Sequence, residues 1–160
     1  VKISITKKGD RHQLTCTRAD GSRELADLGP ALPNHDLAHF VFERKLGLMH
    51  GFFGRIAQGH SVAQLSQKET IKNSPAEALI AEIGARALQS LSSGACNVDQ
   101  FEELVNAELS KWSLPALTFS TDTVEGLLAE FRTLQARFRA LRAGETLDLE
   151  YYSTTDGAGR

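Results

Sequence analysis

Alternation marks both ends of the chain. Val1, Ile3 and Ile5 are apolar where Lys2, Ser4 and Thr6 are polar, a period of two that predicts a strand with one buried face. Beyond the polar turn Lys7-Lys8-Gly9-Asp10, His12, Leu14 and Cys16 share the buried side of a second strand. Asp20-Gly21 offers the positive-φ pair that a tight primed turn demands, so a short third strand over residues 22–25 completes a β-meander. Near the other end, Leu147, Leu149 and Tyr151 alternate with Asp148 and Glu150, which predicts a final strand.

Between these ends the period lengthens to that of helices. Gly29, Pro30 and Pro33 break the strand pattern, and Asn34 is a candidate N-cap for a helix running from His35 to Gly47 or a little beyond. Gly51, Gly54 and Gly59 bound a short helical piece, and residues 60–73 show no clear period and read as a loop. Three capping boxes announce further helices. Ser74 with Glu77 opens one whose stripe is Leu79, Ile80, Ile83, Ala87 and Leu91, with Gly94 closing it. Asn97 with Gln100 opens another, with Phe101, Leu104, Val105 and Trp112 on one side. Asp122 with Glu125 opens the longest, whose stripe runs Val124, Leu127, Leu128, Phe131, Leu134, Phe138 and Leu141 before Gly144 ends it.

Strands at each end with helices between them predict an α+β fold. A small antiparallel sheet, made of the N-terminal meander and the C-terminal strand, packs with four to five helices because its apolar face needs a cover. A single domain over residues 1–152 and a disordered tail at 153–160 are expected.

Composition narrows the function classes. At 160 residues, 41% hydrophobic and 24% charged, the chain is long enough for a sizeable core and reads as soluble. A net charge of −2, with no Lys/Arg run longer than two, argues against nucleic acid as a partner. No apolar run approaches the roughly 18 residues of a membrane span, and no basic-then-apolar leader is visible. Cys16 and Cys96 form no CxxC or paired spacing, so reduced thiols and a cytoplasmic location are expected.

Candidate chemistry concentrates in "NHDLAHFVFE", residues 34–43. On a helix, His35, His39 and Glu43 rise along one face at successive i, i+4 steps, with Asp36 beside them. Ala38, Phe42 and Leu46 flank that strip, and polar groups set among apolar ones must find partners. Two imidazoles at i, i+4 can reach one divalent ion such as zinc, as in HExxH; here the run is HDxxH. The shorter Asp36 reaches a metal-bound water less easily than Glu would, but it can orient a histidine or act as a ligand itself. Metal-ligand candidates are therefore His35, His39 and Glu43, with Asp36 as a ligand or a group behind one. Asp36 and Glu43 are also the catalytic candidates. Three residues over two turns do not comfortably meet at one ion, so another segment should add a ligand. The alternative is a buried hydrogen-bond network in a non-catalytic interaction or structural domain. There Asp36 complements the helix dipole and His39 pairs with Glu43.

The stretch "LPNHDLAHFVFERKLGLMHGFFGRIAQG" resembles the signature segment of a family of small bacterial proteins, which reads roughly P-x-HDLxHxxxExxLGxxxGFxGxxAxG. The resemblance implies a soluble bacterial protein in which His35, Asp36, His39 and Glu43 belong to a shared pattern, and it implies no activity. A thinner likeness is to coenzyme Q biosynthesis proteins that carry HDxxH on a helix, with a glutamate twelve residues past the second histidine. Here that position is Gly51, which leaves the likeness incomplete.

Elsewhere the signals are weaker. His50 and His60 flank the glycine-rich piece and are candidates to complete a site, though loop histidines are commonly just solvated. Glu77 lies at the edge of an apolar face, where capping already explains it, and Glu82 is expected to point away from that face. The glycines match neither GxGxxG nor GxxxxGK[ST], and no GxSxG elbow occurs. Cys96 precedes a helix start without other support for a nucleophile. The helix over residues 122–143 reads as a core helix with a basic face of Arg132, Arg137, Arg139 and Arg142. A homodimer seam or an acidic partner is the alternative.

Overall fold

The computed structural model describes residues 1–67 and 73–152. The tail expected at 153–160 and part of the loop expected at 60–73 lie outside the described residues.

Strands β1 (Lys2–Lys8), β2 (Arg11–Thr17) and β3 (Arg23–Leu28) form the meander, and β4 (Thr146–Glu150) pairs antiparallel with β1 to give the order β3-β2-β1-β4. Register follows the alternation: Ile3 faces Cys16 and Leu149, while Ile5 faces Leu14 and Leu147. One face is buried and the other carries Lys2, Ser4, Thr6 and Asp148, with Ser4 donating to Asp148 across the β1–β4 pair at 2.5 Å. The third strand outruns its sequence signal, because Arg23 to Leu28 complete the pairing with β2.

Six helices are present among the described residues: α1 (Leu32–Leu46), α2 (Phe52–Ala57), α3 (Val62–Leu65), α4 (Ala76–Ser93), α5 (Val98–Lys111) and α6 (Thr121–Ala140). This is the expected α+β architecture. The buried apolar residues form one continuous core that joins the inner sheet face to α1, α4, α5 and α6. Five stripe residues of α6, namely Val124, Leu127, Phe131, Leu134 and Phe138, are buried within the chain itself.

Several helix ends differ from the sequence signals. α1 begins a turn before His35, with Pro in its first turn, and Asn34 is inside the helix rather than capping it. Ser61 and Gln64 form a capping box that starts α3 inside the expected loop. Pro75 rather than Ser74 precedes α4, and Ser120 rather than Asp122 caps α6 by accepting from the Thr123 N–H. α6 stops at Ala140, where Leu141 turns extended. The Asn97–Gln100 box and the left-handed Gly94 stop are as expected. Trp112 ends α5 and is 47% exposed, off the stripe assigned to it, because the helix terminates there.

α1 is the central helix, packed on both α4 and α6. Its approach to α4 is close because Gly84 lies over Phe42: a Cβ on Gly84 would stand 2.1 Å from the Phe42 ring. That contact fixes how the polar residues of the two helices meet.

Candidate metal centre

The 3.6-residue pitch stacks His35, His39 and Glu43 along one side of α1. Glu43 is fully buried, His39 is buried and His35 is half-buried. The Glu43 carboxylate accepts from His39 Nδ1 at 2.9 Å, from the Phe52 N–H at 2.8 Å and from the Phe53 N–H at 3.0 Å. The last two are the first amides of α2, which has no side-chain cap of its own, so Glu43 fills that role from a distance. Gly51 permits the approach, since a Cβ there would lie 2.4 Å from Glu43 Cδ. At the other end of α2, Arg18 donates to the carbonyls of Ile56 at 2.6 Å and His60 at 2.9 Å. The short helix is thus anchored at both ends by charge.

A carboxylate only accepts, so the hydrogen on His39 lies at Nδ1 and Nε2 faces the other way. His35 Nδ1 is matched in the same fashion with Gln89 Oε1 of α4 at 3.0 Å. The two Nε2 atoms turn toward one point, 3.2 Å apart. Glu82, also from α4, brings Oε2 to 3.0 Å from His39 Nε2 and 3.3 Å from His35 Nε2. Two imidazole lone pairs and a carboxylate oxygen this close repel one another unless a proton or a cation lies between them.

The electrostatics carry the same signature. Burial pulls the His39 imidazolium down, but hydrogen bonds to Glu43 and Glu82 outweigh it and hold the group up at about 10. His35 is raised by its hydrogen bond to Glu82, against burial. Glu82 is held well below the usual carboxylate range by its hydrogen bonds with His35 and His39. Asp36 behaves oppositely: burial pushes it up to about 6, with the two histidines pulling it part of the way back. It is 7% exposed, and its Oδ2 has no hydrogen-bond partner among the described residues.

His35, Asp36, His39 and Glu82 line one wall of a cleft of about 500 Å³. Leu14 and Leu28 of the sheet, Phe52 of α2, Val62 and Leu65 of α3 and Leu79 of α4 add apolar lining, and Asp27, Arg55, Ser66, Ser74 and Arg86 add further polar groups.

Placement of the expected site residues is thus mixed. His35 and His39 share a face and point their rings inward, and each ring has partners. Among the described residues, the three donor atoms able to surround one ion come from His35, His39 and Glu82. Glu43 is behind His39 rather than beside the Nε2 atoms, since its oxygens are taken by α2. The expectation that Glu82 points away is corrected. Close packing at Gly84 brings its edge of α4 against α1, although the residue is not on the apolar stripe. A signal existed in the polar series Glu82, Arg86 and Gln89, which runs beside the apolar stripe at the same pitch as His35 and His39. His50 and His60 are exposed and outside the cluster. Glu77 accepts from the His50 backbone N–H at 2.6 Å. Cys16 and Cys96 are free thiols. Among the described residues, no helix is long and apolar enough to cross a membrane.

Comparison of the chain with protein-family models, with curated proteins and with solved structures yields no match.

Proposed function

We propose that the protein holds a divalent transition-metal ion, zinc being the simplest fit, on His35 Nε2, His39 Nε2 and Glu82 Oε2, and that it carries out hydrolase-like chemistry in the adjoining cleft. One observation carries the reading: three acceptor atoms lie 3.0, 3.2 and 3.3 Å apart. Donors bound to a tetrahedral ion at about 2.0–2.1 Å stand about 3.3 Å from one another, and an octahedral face brings them to about 2.9 Å. Each ring's other nitrogen is held, His39 by Glu43 and His35 by Gln89, which is how metal-ligating histidines are oriented. Three protein ligands leave coordination open toward the cleft, as in catalytic rather than structural sites.

A bound divalent ion would polarise a carbonyl or phosphoryl oxygen and acidify water. The chain's own contribution is positional. Asp36, whose carboxyl lines the same cleft, accepts the proton from an attacking water and passes it to the leaving group. Glu43 fixes the ring of His39 and touches no reactant. A cytoplasmic location agrees with the free thiols.

The competing reading, a buried network in which His39 as imidazolium bridges Glu43 and Glu82, is favoured by those same short separations. Metal analysis of protein purified without a polyhistidine tag separates the two. About one equivalent of zinc, iron or manganese is expected, lost in His39→Ala and in Glu82→Ala. Loading should also release protons, because the ligands must shed them, and calorimetry in buffers of different ionisation heat measures this. Protein that takes up no divalent metal on titration, while His39→Ala still destabilises it, decides for the network.

A further inference from the structure

The apolar lining of the cleft has no part in holding a metal, yet among the described residues it adjoins the cluster. Leu14, Leu28, Val62, Leu65 and Leu79 line it, and Phe52 lies beside His39, with ring centroids 5.6 Å apart. About 500 Å³ is in the range of small-molecule sites, whose walls are mostly apolar with few polar groups placed to orient the ligand. Asp36 is a second and independent pointer to a ligand. It is a carboxyl more than nine-tenths buried, lining that cleft, with one oxygen that has no partner among the described residues. Burying such a group unpaired is costly, and a donor arriving with a ligand or an attacking water removes the cost.

We infer that the cleft takes an acyl compound, an ester or amide with an apolar chain, the chain lying along Leu14, Leu28, Val62, Leu65 and Leu79 and the carbonyl reaching His35, His39 and Glu82. The inference rests on the proposed metal reading for its carbonyl end and on the cleft alone for its chain. In the reaction, the oxygen of water forms a bond to the acyl carbon and the bond from that carbon to the alcohol oxygen or amine nitrogen breaks. The water's proton passes through the Asp36 carboxyl to the departing group, so that acid and alcohol or amine leave with no other reactant consumed. Arg86, which lines the same cleft with its Nε 3.5 Å from Glu82 Oε1, is positioned to attract the acid anion produced.

A straight-chain hydroxamate series, from acetohydroxamate to octanohydroxamate, tests the assignment on zinc-loaded protein by calorimetry. Each added methylene that enters the cleft should tighten binding about fourfold until the apolar wall is covered. Leu79→Gln should flatten this dependence while leaving zinc content unchanged. Zinc-loaded protein that binds the series with no dependence on length overturns the inference and leaves the metal reading standing. Metal-free protein supplies a second arm, in which n-butanol to n-octanol are titrated against the methyl resonances of Leu14, Val62 and Leu79. Length-dependent shifts support the chain site even if zinc binding fails, and their absence overturns it whether or not zinc binds.

Discussion

Asp36 and Glu43 lie on the same helix, both buried carboxyls, and they meet opposite conditions. Glu43 at the C-terminal end has three donors, two of them amides of α2, and no exposed surface. Asp36 at the other end lines a cleft and has an oxygen with no donor among the described residues. Burial alone therefore does not tell what a carboxyl is for. Where the protein supplies every partner, the group holds structure together; where one is withheld, as at Asp36, the proposed role is to meet something that arrives.

The sharpest way to break this contrast is Glu43→Ala, which strands His39 Nδ1–H and the amides of Phe52 and Phe53 in the interior. A loss of about 3–5 kcal/mol is expected in urea unfolding, the scale seen when one member of a buried charged pair is removed. Glu43→Ala as stable as the parent would show that α2 does not depend on this cap.

Gly51→Ala attacks the same end by crowding. The new Cβ would need space now held by the Glu43 carboxylate, so a loss of about 1–3 kcal/mol is expected by the same measurement. Because the displaced carboxylate is the partner of His39, zinc affinity should fall with it, by about 10–100-fold.

At the other end, Asp36→Asn should raise stability by about 1–3 kcal/mol near neutral pH, since it discards a charge that burial disfavours and breaks no protein hydrogen bond of Oδ2. Zinc content should stay at the parent level. A large loss of either would place Asp36 with Glu43 as a structural group.

The last effect is one of pH. Asp36 is raised to about 6 in the folded protein, so the stability linked to its protonation is fully present below its unfolded value of about 3.9. That stability is lost as pH rises through about 6. Asp36→Asn should remove this slope, so that the difference in unfolding free energy between variant and parent changes between pH 4 and 7 and is flat above. Parallel curves across that range would show that Asp36 titrates normally.

What could be read from the sequence was whatever repeats locally. Alternation at Ile3 and Ile5 and at Leu147 and Leu149 located the sheet strands, and the i, i+4 spacing located His35 and His39 on one face. The capping box at Asn97 worked because its partners are three residues apart. Asn34, Ser74 and Asp122 were equally good cap residues by type, yet each neighbouring helix starts elsewhere, since propensity for a cap yields to tertiary packing. Glu82 was illegible for a deeper reason. Its position against His39, 43 residues earlier, depends on how closely two helices pack, and a single contact between Gly84 and Phe42 sets that. The role of Glu43 at α2 likewise needed Gly51 to be seen against it.

The Tyr151 hydroxyl donates to the Leu48 carbonyl at 2.5 Å, across 103 residues. Its ring lies near Phe40 and Phe53, so one side chain clasps the bend between α1 and α2 just where Glu43 reaches the second helix. During synthesis at about 5–20 residues per second, that bend leaves the ribosome about 5–20 s before its clasp exists. Glu43 meets the α2 amides within ten residues of itself, whereas the tyrosine clasp must wait for the last strand. The bend beside the cluster is thus tied to the far end of the sheet through one hydroxyl.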